Sequence, residues 1–154
     1  MGLRETLNDQ MKTAMKAADK RRVATLRLVL AALKDRDIAN RTEDSRDLLG
    51  DDEILSLMAK MIKQREESAE TYDKGNRPEL AAGEREEIVI IREFMPKQMD
   101  EAEAKAAAQK VIAELGAGSM KDMGKVMAAL KERFAGQMDF AKASGLVKGL
   151  LSGQ

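Results

Sequence analysis

Histidine, cysteine and tryptophan are absent from this 154-residue sequence, and its aromatic residues are only Tyr72, Phe94, Phe134 and Phe140. Without imidazole or thiol, the commonest general base at neutral pH, thiol nucleophiles, disulfides and the usual zinc sites are all excluded. Carboxylate, lysine and hydroxyl chemistry survives, but no phosphate loop, dinucleotide glycine motif or serine elbow organises it. No catalytic residue, metal or cofactor is therefore expected. Long apolar runs are also missing: the longest, Leu28–Leu33, is six residues, against the roughly 18 that a membrane span needs. A membrane partner is not expected. The lack of cysteine, and an N-terminus without a positive-then-apolar leader pattern, point to a cytoplasmic location.

Net charge is zero, with 27 basic and 27 acidic side chains. Its distribution is less even. From residue 118 onward Lys121, Lys125, Lys131, Arg133, Lys142 and Lys148 face only Asp122, Glu132 and Asp139. That excess is small, so any binding to nucleic acid through it should be modest and sensitive to salt.

Helical spacing dominates the chain. Leu3, Leu7, Met11, Ala14 and Met15 recur at intervals of three and four, and Asp19 is placed to cap a second helix carrying Val23, Leu26, Leu30 and Leu33. The polar stretch Thr42–Gly50 reads as a loop, after which Asp51 or Asp52 caps a third helix with Ile54, Leu57, Met58, Met61 and Ile62 inward. Its charged continuation, Lys60 to Lys74, reads as a solvated face. Gly75-Asn76 breaks that helix and Pro78 suits the first turn of the next. Ile88-Val89-Ile90-Ile91 is β-branched, but the polar residues on either side carry no turn signal, which favours a buried helix over a strand. Met95-Pro96-Lys97 marks a boundary, because proline disfavours helical geometry in the residue before it. The reading is all-α, with about four helices in residues 1–95 and a three-helix tail in 97–154.

The fifth helix starts at Asp100 with Glu103 in a capping-box pattern and closes at Leu115-Gly116. The two helices after it share an unusual arrangement. At 100° per residue, Met120, Met123, Val126, Met127, Leu130 and Phe134 form one face, and Gly124 and Ala128 lie outside it among Lys121, Lys125 and Lys131. From Asp139 onward, Phe140, Ala143, Leu146, Val147, Leu150 and Leu151 form the apolar face. Ala141, Gly145 and Gly149 lie opposite it, with Lys142 and Lys148 at the edges. Interior glycine costs a helix about 1 kcal/mol relative to alanine. Two bare, lysine-edged strips fit close approach of an anionic ligand, or of a neighbouring helix.

The run Ser119-Met120-Lys121-Asp122-Met123-Gly124-Lys125-Val126-Met127-Ala128-Ala129-Leu130-Lys131, with Ala135-Gly136 and Asp139, resembles the tail domain of the GatB/YqeY family. Thr25-Leu26-Arg27-Leu28, Ala31-Ala32-Leu33-Lys34, Asp52-Glu53-Ile54-Leu55, Met61-Ile62-Lys63-Gln64-Arg65 and Phe94-Met95-Pro96-Lys97-Gln98 resemble its YqeY-like branch. Gln137-Met138 departs from the basic and small residues often found there. The resemblance implies a two-part helical protein whose tail is shared with the B subunit of the glutamine-dependent aminoacyl-tRNA amidotransferase. In that enzyme the tail contacts tRNA and amide transfer occurs in a separate domain. The implied role is a non-catalytic, tRNA-associated accessory protein. Its RNA-facing residues would be Lys121, Gly124, Lys125, Ala128, Lys131, Lys142, Gly145, Lys148 and Gly149. Two alternatives remain open: an adaptor for a protein partner such as a component of the translation machinery, and a glutamine-dependent carbon–nitrogen ligase activity.

Overall fold

The computed structural model describes residues 2–43 and 47–152, and the regular elements among them are all helical. They are α1 (Leu3–Lys16), α2 (Lys20–Ala39), α3 (Asp51–Lys74), α4 (Pro78–Arg92), α5 (Glu101–Leu115), α6 (Met123–Arg133) and α7 (Phe140–Leu151). A 3-10 turn, Met120–Asp122, precedes α6. The all-α class is as expected. Backbone contacts divide the chain into two compact units, Met1–Met95 and Pro96–Gln154.

In the first unit the chain direction changes where local chemistry requires it. Asp19 accepts the Arg22 N–H and caps α2, Asn76 takes a left-handed φ of 59° after α3, and Pro78 opens α4. Leu7, Leu26, Val29, Leu33, Ile54, Met58 and Ile91 are the innermost side chains, with Ile88 beside them. Ile88–Ile91 is helical: Ile88 and Ile91, three residues apart, face inward while Val89 stays 62% exposed.

Three local expectations are corrected. Gly50, not Asp51 or Asp52, is the N-cap of α3, and the Asp51 carboxylate instead accepts the Leu3 N–H at the start of α1. Met15 is exposed, since α1 buries only Leu7 and Ala14 fully. The charged run on α3 is not wholly solvated: Arg65 donates to Glu87 at 2.9 Å and to the Met61 carbonyl at 3.2 Å, in a part-buried pair. Of the expected loop Thr42–Gly50, residues 44–46 lie outside the described residues, and the described remainder is irregular.

That loop is tied down by a long-range lock. The Arg4 guanidinium donates to both Asp37 carboxylate oxygens, at 2.8 and 3.0 Å, and to the Leu49 carbonyl at 3.2 Å. Asp37 also accepts the Leu49 N–H at 3.0 Å, and its side chain is only 8% exposed. The hydrogen bonds from Arg4, then that from Leu49, hold the Asp37 carboxyl below its ordinary range against the opposing effect of burial. α1, α2 and the segment that leads into α3 are thus joined through one carboxylate.

In the second unit the Asp100–Glu103 capping box starts α5 as expected, and Gly116, at φ 64°, ends it. Asp139 caps α7 by accepting the Ala141 and Lys142 N–H groups. Ala108, Val111, Val126, Leu130 and Val147 form the center of the core, with Phe134 and Phe140 packed against it. Met138 is buried, and the Gln137 carbonyl accepts the Met99 N–H at 2.8 Å. Of the departure Gln137-Met138, the Met138 side chain therefore serves the packing of this turn.

Candidate nucleic-acid interface

The outward faces of α6 and α7 follow from which residues their core consumes. α6 buries Val126 and Leu130, and α7 buries Ala143, Val147 and Leu151. At 100° per residue, Gly124, Ala128 and Lys131 lie opposite the buried face of α6, and Gly145, Gly149 and Lys142 opposite that of α7. Lys121, Gly124, Lys125, Ala128, Lys131, Lys142, Gly145 and Lys148 are exposed, and Gly149 is half-buried.

The start of the first strip differs from the expected continuous helix. Met120–Asp122 is a 3-10 turn, fixed where Asp122 Oδ2 accepts the Gly118 N–H at 3.1 Å and the Asp122 N–H bonds to the Ser119 carbonyl at 3.0 Å. Three residues per turn replace 3.6, so Met120 leaves the apolar face and is 41% exposed. Lys121 stands on this turn, just ahead of the helical surface that carries Gly124 and Lys125.

Three of the four acids near these strips have partners. Asp139 is spent on capping α7, Asp122 on Gly118, and Glu114 pairs with Arg133 at 2.5 Å, which holds its carboxyl below the usual range. Glu132 remains as an exposed acid beside Lys131. Among the described residues, Lys121, Lys125, Lys131, Lys142 and Lys148 form no ion pair.

The glycines are equally uncommitted. A Cβ added at Gly124, Gly145 or Gly149 would meet nothing within 4 Å. Among the described residues of this unit, close helix crossing is therefore not what these small residues serve. Gly145 sits in the middle of α7, so Gly145→Ala should raise stability by up to about 1 kcal/mol through helix propensity alone. Thermal melts of the two proteins check this; a lower melting temperature for the alanine variant would contradict it.

The structure does not gather the nine residues into one cavity. Lys142 alone lines a groove, of about 670 Å³, beside Gln98, Asp100, Asp139, Met138 and Leu146. The described residues contain no group of three metal-ligating acids. Among the described residues, the displaced ionisations lie in the ion pairs Arg4–Asp37, Arg85–Asp73 and Glu114–Arg133, none of which forms an acid–base dyad. The Arg4–Asp37 lock was missed in the sequence, because residues 33 positions apart leave no local pattern.

Comparison with known proteins places this geometry in a family. Altered inheritance of mitochondria protein 41, mitochondrial, from Lachancea thermotolerans is 32% identical over 111 residues, covering 71% of this chain and 57% of that protein. The protein of the same name from Vanderwaltozyma polyspora is 31% identical over 90 residues, covering 58% and 46%. An uncharacterized protein of Schizosaccharomyces pombe is 27% identical over 95 residues, covering 62% and 73%. The chain thus spans about half the length of the mitochondrial relatives it matches. Their names overturn the expectation of a cytoplasmic location. Absence of cysteine fits more than one compartment, so composition was a poor guide. A family model described as Yqey-like protein matches residues 4–151, nearly the whole length, and the chain belongs to that family.

Proposed function

We propose that the unit Pro96–Gln154 docks on folded RNA, tRNA in the first instance, and that the protein acts as a non-catalytic accessory factor. One observation carries this reading: five lysines without ion-pair partners among the described residues flank glycines that open onto free space. Lysines there meet phosphates, and the bare backbone of α6 and α7 lets a sugar–phosphate ridge come close. Phe134 and Phe140 are engaged in the core, so shape and backbone contacts replace base stacking.

Two substitutions separate charge from shape. Lys125→Ala should weaken binding to total tRNA and reduce the slope of log affinity against log salt by about one unit. Gly124→Leu should weaken it sterically while leaving that slope unchanged. Fluorescence anisotropy over a salt series, with melting curves to verify folding, tests both. Parent-like binding by both variants would return the strips to plain solvent-exposed surface. Glutamine-dependent amide transfer by the purified chain, abolished by a point change within it, would overturn the non-catalytic part.

A further inference from the structure

α2 is apolar on two sides. Leu26, Val29 and Leu33 are buried against the N-terminal core, yet Leu28 and Ile38 are each 48% exposed. Together with exposed Ala24, Ala31 and Asp35, they recur at intervals of four, three, four and three along the helix. That is the spacing of a coiled-coil seam, and it lies roughly opposite the buried face at 100° per residue. The helix contacts α1, α3 and α4, and this outer stripe is what those contacts leave uncovered.

A charge pattern runs beside the stripe. Lys20, Arg27 and Lys34 follow one another every seven residues, all exposed. Consecutive members stand about 10 Å apart along the axis. Among the described residues none of the three forms an ion pair, whereas their neighbors Arg21 and Arg22 are engaged by Glu86, Glu87 and Glu93. The row has the position of the flanking charges that choose a coiled-coil partner.

We propose that this face of α2 docks an amphipathic helix of another protein, one with an apolar seam and a row of acidic residues along its edge. The two halves of the pattern select that occupant together. A nucleic acid would answer the basic row but leave Leu28 and Ile38 in water. A second copy of this chain, paired through α2, would set the row against itself or against Ala32 and Ala39, with no carboxylate opposite. Parallel self-pairing would also bring Asp35 against Asp35. An acidic amphipathic helix covers Leu28 and Ile38 and also answers the row. Contact through one helix is small, which places the complex among weak, transient ones.

The probe is a labeled synthetic helix of about three heptads with leucine in the seam and glutamate on both flanks, titrated against the full chain. The acidic helix should bind, and the same peptide with lysine in place of glutamate should not. Leu28→Ser with Ile38→Ser should weaken binding at least about tenfold, equivalent to about 1.4 kcal/mol. Arg27→Glu with Lys34→Glu should do the same, and should also admit the lysine peptide. That exchange of specificity separates docking from loss of folding, and melting curves verify each variant. Failure of the acidic helix to bind overturns the proposal. So does binding that survives loss of Leu28 and Ile38, tRNA that binds through the Arg27 row, or self-association of the parent that the Leu28 and Ile38 changes abolish. Lys125→Ala should leave peptide binding intact, which keeps this test independent of the RNA reading.

Discussion

Asp37→Ala should destabilise the N-terminal unit by about 3 kcal/mol, the typical cost of removing one partner from a buried ion pair. Arg4 would lose two of its hydrogen bonds and the Leu49 N–H its acceptor, in a site where the carboxylate is almost fully enclosed. For a small unit this corresponds to a fall in melting temperature of more than about 10 °C. Asp37→Asn, which keeps the shape and an acceptor oxygen, should cost less. The same group sets an acid dependence. Its folded-state ionisation lies below that of the unfolded chain, so its contribution is complete above about pH 4 and is lost as pH falls through the lower folded value. Melting curves of parent and Asp37→Ala between neutral pH and pH 3 should therefore converge on acidification; a constant gap would show that the carboxylate's charge is not what holds the loop.

Leu130→Ala should cost the tail unit about 3 kcal/mol, because a fully buried leucine leaves a cavity that its neighbors fill only in part. Leu130 has no exposed surface and packs among Val126, Val111 and Val147. A unit this small has little stability to spare. The variant should therefore lose hydrogen-exchange protection in α5, α6 and α7, and its RNA binding should fall with the folded population. Protection unchanged in all three helices would contradict a shared core.

The contrast between these sites explains how far the sequence could be read. Helix positions and most caps were legible because their determinants are local: Asp19, Asp100 with Glu103, and Gly116 each act on groups within four residues. Where a determinant was distant, reading failed. Asp51 serves the start of α1, across 48 positions, and leaves its own helix to Gly50. Arg65 reaches Glu87, on α4, and so leaves the solvent. Periodicity also misplaced Met15 and Met120, which stand at or beyond helix ends where the core no longer covers them. The candidate interface was legible as two strips on α6 and α7. The basic, apolar outer face of α2 was not, because its inward and outward leucines interleave into what reads as one long apolar segment.

Binding of the unmodified full chain to total tRNA from low to moderate salt bears most directly on the proposed role. With three or four of the five lysines on phosphates, log affinity should fall against log salt with a slope of about −3, modest beside that of dedicated nucleic-acid binders. A slope near zero, or no binding at low salt, would contradict RNA docking by this protein.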